Sequence, residues 1–104
     1  MSANKSFSIE TSERYSRALF EVSQESNDLD NVERDIQNFK LIYDTNSEVR
    51  NFIKDPSQII TEQNKLVNLI SDNLNFSTNV QKFLLLLIEK RRIFFVNKII
   101  ESFL

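Results

Sequence analysis

The chain has 104 residues and a net charge of −2, and it contains no cysteine, no histidine and no glycine. Those absences remove disulfides, thiolate chemistry, the imidazole base, the His and Cys metal ligands and the glycine loops that let a backbone approach phosphate. Composition therefore argues against an enzyme, a cofactor and a metal site. The small acidic surplus also argues against a dedicated nucleic-acid binder, which needs cations to neutralise phosphate.

Such a length suits one domain with a single helical core. The opening, Met1 to Glu10, is polar and holds one lysine, unlike a signal or transit peptide, and the longest apolar run is too short to span a bilayer. The expectation is a soluble protein that begins at its own Met1 in a bacterial type of cytoplasm. Charge is uneven along it: eight acidic residues oppose Arg14, Arg17 and Arg34 between Glu10 and Asp35, whereas five cations oppose Glu89 between Lys82 and Lys98. These stretches read as solvated faces that complement each other across a bundle.

Pro56 is the only proline, so Asn, Asp, Ser and Thr must punctuate the helices. The first helix is predicted from about Thr11 to Gln24. At about 100° per residue, its Tyr15, Ala18, Leu19 and Val22 fall on one stripe while Phe20 points to the far side. The second runs from about Leu29 to Tyr43 on Leu29, Val32, Ile36, Phe39 and Tyr43. A short third follows Ser47, buries Val49, Phe52 and Ile53, and stops at Asp55-Pro56, because the residue before proline is pushed out of the helical region. The fourth runs from about Thr61 to Leu74, with Leu66, Leu69, Ile70 and Leu74 as its buried stripe.

The fifth starts after a Ser77 cap and is apolar nearly all round from Phe83 to Ile88. The sixth, from about Ile93 to Leu104, uses Val96, Ile99, Ile100 and Phe103. Adjacent Phe94 and Phe95 cannot share one helix side, so one of them faces a second surface or the helix begins after them. Alternation of period two is hardly visible. The expected fold class is all-α, a compact six-helix bundle with short loops, and the sixth helix is still in phase at Leu104, as in a domain cut from something longer.

No Asp or Glu lies inside an apolar stripe, where burial would raise its pKa, so no acid and base pair is expected. Glu89 reads as a surface or capping residue. The first and fifth helices carry more apolar surface than one core contact needs. A helix of that kind is fully buried or awaits a partner. Ala18, small between Tyr15 and Val22, makes a floor that another helix can approach; Phe83 and Leu86 share an edge with Asn79 and Lys90. Side by side, the two edges would form a groove for an amphipathic helix.

The string Tyr15-Ser16-Arg17-Ala18-Leu19-Phe20-Glu21 resembles the opening helix of the delta subunit of bacterial F-type ATP synthases, the counterpart of the mitochondrial oligomycin-sensitivity-conferring protein. Phe83 to Arg92 followed by Ile93 is similar to that family's apolar helix ending in glutamate, a variable residue, glycine, arginine and an aliphatic. Asn51-Phe52-Ile53-Lys54-Asp55-Pro56 fits its short helix ending near a proline. The likeness covers nearly the whole chain in order and spacing. Arg91 stands where the family commonly has glycine; a left-handed residue there would cost arginine on the order of 1 kcal/mol, which predicts a turn of different shape.

The resemblance implies that residues 1–104 form the single helical amino-terminal domain of a delta subunit, without the carboxy-terminal domain that contacts the membrane-anchored b subunit of the peripheral stalk. It implies a non-catalytic stator connector at the cytoplasmic face of the bacterial inner membrane, without membrane insertion, serving proton-driven ATP synthesis. Its groove between the first and fifth helices would take the amino-terminal helix of a catalytic-head alpha subunit. Carried over by position, the partner-facing residues are Tyr15, Ala18 and Leu86; Leu19, Val22, Phe83 and Lys90 extend the set by geometry. From the residues alone two alternatives stay open: a stand-alone helical interaction module with an unrelated partner, or a weak nucleic-acid or lipid binder through Lys90 to Phe95.

Overall fold

A chain without glycine must find other residues for the left-handed positions that end helices, and this one uses two asparagines and an arginine. The computed structural model describes residues 2–104, with side chains from residue 9 onward. Six helices follow in order: α1 (Ser2–Glu25), α2 (Leu29–Thr45), α3 (Ser47–Lys54), α4 (Ile60–Leu74), α5 (Thr78–Glu89) and, after a single 3₁₀ turn at Ile93–Phe95, α6 (Val96–Phe103). Among the described residues there is no strand. The fold is an all-α bundle.

Asn27, Asn75 and Arg91 have φ of 56°, 53° and 57°. After each of them a backbone N–H reaches back to the carbonyl five residues earlier: Asp28 to Ser23 at 2.8 Å, Phe76 to Ser71 at 2.9 Å and Arg92 to Leu87 at 2.7 Å. These are Schellman closures, which satisfy carbonyls the helix leaves orphaned. Asparagine visits this region at little cost and arginine does not. The changed turn expected at Arg91 does not occur: the left-handed shape is kept, because buried Ile88 on one side and buried Ile93 on the other fix the chain path between them.

At the helix starts, the Asn46 side chain accepts from Glu48 and Val49 N–H at 3.1 Å each, and Ser77 Oγ accepts from Val80 N–H at 3.4 Å. Helix α3 ends at Lys54, before extended Asp55 and Pro56. Two boundaries differ from expectation. Helix α1 begins at Ser2 and not near Thr11, since neither proline nor glycine precedes Thr11 to stop it. The sixth helix begins at Val96 and not near Ile93, which is the second of the two possibilities read from Phe94 and Phe95; their rings pack 4.3 Å apart at 34°.

The core gathers Leu19, Val32, Ile36, Phe39, Leu84, Leu87 and Ile99, all at most 1% exposed. Each such side chain contributes about 1.5–3 kcal/mol on burial. Helix α1 lies most extensively along α6 and presents small polar residues there: Ser12 and Ser16 are buried, and Ser16 Oγ meets Ser102 Oγ at 2.9 Å. Small side chains let the two helices approach closely.

Two expectations about burial are corrected. Helix α4 buries Ile70 as expected, but with Gln63, Val67 and Ser71 in place of the predicted Leu66, Leu69 and Leu74; Leu66 is partly buried and Leu69 is 59% exposed. Both sets satisfy helical spacing, and the packing of α4 on α5 selects the first. Asp35 is a carboxylate inside a buried stripe after all, 1% exposed beside Ile36. Its Oδ2 accepts the Ser77 backbone N–H at 2.6 Å and its Oδ1 lies 3.5 Å from Arg34 Nε. A buried charge with both a donor and a cation is tolerated, and here it clamps α2 to the first turn of α5.

Among the described residues, the close ion pairs found lie within single helices and not between the acidic and basic stretches. Arg34–Asp35, Lys40–Asp44 and Lys65–Glu62 each pair within one helix. The acidic part meets α5 through neutral donors, the Ser77 backbone and the Asn79 amide. Among the described residues no helix is long and apolar enough to cross a membrane.

Candidate functional site

Helices α1 and α5 do lie side by side. At one end Asn79 Nδ2 donates to Ser26 Oγ at 2.8 Å and to Asp28 Oδ2 at 3.1 Å, which ties the start of α5 to the end of α1. Further along, Tyr15 meets Phe83 edge to face, with ring centroids 6.5 Å apart and planes at 68°. The order of these contacts makes the two helices antiparallel. Between them runs a groove of about 450 Å³.

Helix α1 supplies Arg14, Tyr15, Ala18, Leu19 and Val22 to the groove, and α5 supplies Asn79, Lys82, Phe83 and Leu86. Leu19 and Phe83 form the floor, since they are 1% and 7% exposed. Ala18, Val22 and Leu86 face solvent, Val22 at 42% and Leu86 at 38%. An apolar strip between two packed helices, open along its length, is suited to an amphipathic helix that inserts its own apolar stripe.

Of the residues singled out from sequence, Tyr15, Ala18, Leu19, Val22, Phe83 and Leu86 are brought together in this groove. Lys90 is not among its lining residues. It is exposed just past the end of α5, one turn beyond Leu86. Sequence reasoning missed Arg14 and Lys82 as groove residues. Their signal was helical phase: Arg14 precedes Ala18 by four positions, and Lys82 precedes Leu86 by four.

Electrostatics at the two ends differ. At the Asn79 end, the hydrogen bond from Asn31, with those from Ser77 and Asn79, outweighs desolvation and holds the Asp28 carboxyl below the usual carboxylate range. Arg14 stands at the other end, its guanidinium carbon 5.7 Å from the centre of the Tyr15 ring. Among the described residues no group of three or more Asp or Glu side chains is placed to hold a metal ion.

A family model described as ATP synthase delta (OSCP) subunit matches residues 11–104. The chain belongs to the ATP synthase delta (OSCP) family. It is 36% identical over 103 residues to the ATP synthase subunit delta of Pelagibacter ubique, a match covering 99% of this chain and 56% of that protein. It is 33% identical over 102 residues to the subunit delta of Gloeothece citriformis, covering 95% of this chain and 53% of that one. To the subunit delta of Rhodospirillum rubrum it is 30% identical over 104 residues, covering 100% and 56%. The delta-family chain thus spans about half the length of these relatives.

Within the delta-family match fall both walls of the groove, since Arg14 to Val22 and Asn79 to Leu86 lie inside residues 11–104.

Proposed function

We propose that this chain is the amino-terminal, non-catalytic connector part of an ATP synthase peripheral stalk, and that its α1/α5 groove takes the amino-terminal helix of a catalytic-head alpha subunit. The observation that carries the reading is the groove itself: Ala18, Val22 and Leu86 are solvent-facing apolar groups above a floor of Leu19 and Phe83. A stator needs a firm grip on the head, so that rotor torque drives nucleotide chemistry in other subunits instead of spinning the head. Helix-in-groove contacts of this kind draw their affinity from a few central anchors rather than from total area.

In this reading the working site is peripheral to the membrane, at the cytoplasmic face of a bacterial inner membrane. Contact with the membrane-anchored b subunit belongs to the further length that the relatives have. The chain's own task is mechanical, and it uses no nucleotide, cofactor or metal.

Calorimetric titration of the chain with a synthetic peptide of about twenty residues, a common length for amphipathic helix ligands, from the start of the cognate alpha subunit tests the proposal. One-to-one binding with a negative heat-capacity change, lost in Leu86→Asp, is the expected result. No binding to the folded chain would overturn it.

A further inference from the structure

The groove is apolar along its middle but its rims carry charge of one sign. Its lining residues include two cations and no carboxylate, although the chain as a whole has a net charge of −2. Lys82 stands on the α5 rim and Arg14 on the α1 rim, on opposite sides of the strip formed by Leu19 and Phe83. Both are exposed, and the ion pairs formed within the bundle use other cations, namely Arg34, Lys40 and Lys65. The Asp28 carboxylate, at the Asn79 end, is already engaged by Asn31 and Asn79.

Resting on the groove reading above, we propose that the docked helix carries carboxylates on both flanks of its apolar stripe, which meet Lys82 on one rim and Arg14 on the other. A helix of the opposite flanking charge is rejected. Rim charges of this kind act mainly on encounter and on discrimination between partners, while the apolar anchors hold the bound state. The same surface is a poor nucleic-acid platform despite its cations. Phe83 is 7% exposed, and Arg14 stands beside the Tyr15 ring, so neither ring offers a free face for a base to stack on.

Three designed helical peptides with one shared Leu, Ile and Ala stripe, flanked by Glu, by Gln or by Lys, are titrated into the chain and into Lys82→Glu. The Glu-flanked peptide is expected to bind the unmodified chain about tenfold tighter than the Lys-flanked one at low salt. That gap should shrink as salt rises to about 0.5 M. Lys82→Glu should close most of the gap, because Arg14 still faces the other flank, and adding Arg14→Glu to it should reverse the order and favour the Lys-flanked peptide. Equal affinities for Glu and Lys flanks, with the Gln-flanked peptide still bound, would overturn the charge rule and leave the groove reading standing. Failure of all three peptides would overturn both. A single-stranded oligonucleotide bound more tightly than the Glu-flanked peptide would also overturn the rule.

Discussion

Tyr15 on α1 and Phe83 on α5 meet edge to face at 6.5 Å, and this contact joins two apolar helix edges, 68 positions apart in the chain, into one surface. An aromatic pair of that geometry adds about 0.5–1.5 kcal/mol beyond the area it buries. Ala18 sits one turn along α1 from Tyr15 and faces the open groove. Ala18→Asp should leave the stability of the free chain within about 0.5 kcal/mol, as for an exposed site. Affinity for the alpha-subunit helix should fall by on the order of 3 kcal/mol, because docking would bury an unpaired carboxylate. Paired denaturation and binding titrations check the two halves; unchanged affinity contradicts the groove.

The Asp35 clamp holds one groove wall in place from beneath. Asp35→Ala removes the acceptor for the Ser77 N–H and should destabilise the fold by about 1.5–3 kcal/mol, the range for a hydrogen bond to a charged group. Asp35→Asn should recover part of that loss, since an amide oxygen still accepts. Urea unfolding with an unchanged slope would read the difference directly.

Arg91 holds a left-handed conformation with φ of 57°. Arg91→Gly should stabilise the chain by about 0.5–1 kcal/mol, the relief of the Cβ clash less the added freedom of glycine in the unfolded state. An arginine that is exposed and outside the groove lining gives no reason for peptide affinity to change. Thermal unfolding of the two variants decides the sign.

Acid should loosen the groove at its Asn79 end. The Asp28 carboxyl is held below its ordinary value by Asn31 first, and the Asp55 carboxyl is lowered by Ser57. A carboxyl depressed in the folded state contributes stability that is fully present above the unfolded pKa, about 3.9, and lost as pH falls through the folded value. Stability should therefore be flat from neutrality to about pH 5 and decline below about pH 4. In Asp28→Asn that decline should be shallower, as measured by urea midpoints at successive pH values.

Helix existence was legible because i, i+3 and i+4 spacing is a local property: Val32, Ile36, Phe39 and Tyr43 are all buried on α2. Spare apolar surface on α1 and α5 allowed their pairing, and the family resemblance implied it. What escaped was decided at long range. On α4, Leu66 and Leu69 compete with Gln63 and Val67 for the buried face, and only the position of α5 settles it. Asp35 looks like an ordinary surface acid until Ser77, 42 residues later, brings it a donor. The serines of α1 had a readable signal, since Ser12, Ser16, Leu19 and Ser23 recur at spacings of three and four. Arg14 and Lys82 were readable by the same phase, but a rim acquires meaning only once two helices face each other.

The most direct test is amide chemical-shift mapping of the isotope-labelled chain titrated with the amino-terminal peptide of the cognate alpha subunit. The account predicts that shifts concentrate at Tyr15, Ala18, Val22, Phe83 and Leu86, with the α3/α4 surface around Phe52 and Leu69 unmoved. Binding that perturbs Phe52 and Leu69 while leaving α1 and α5 unchanged would contradict it.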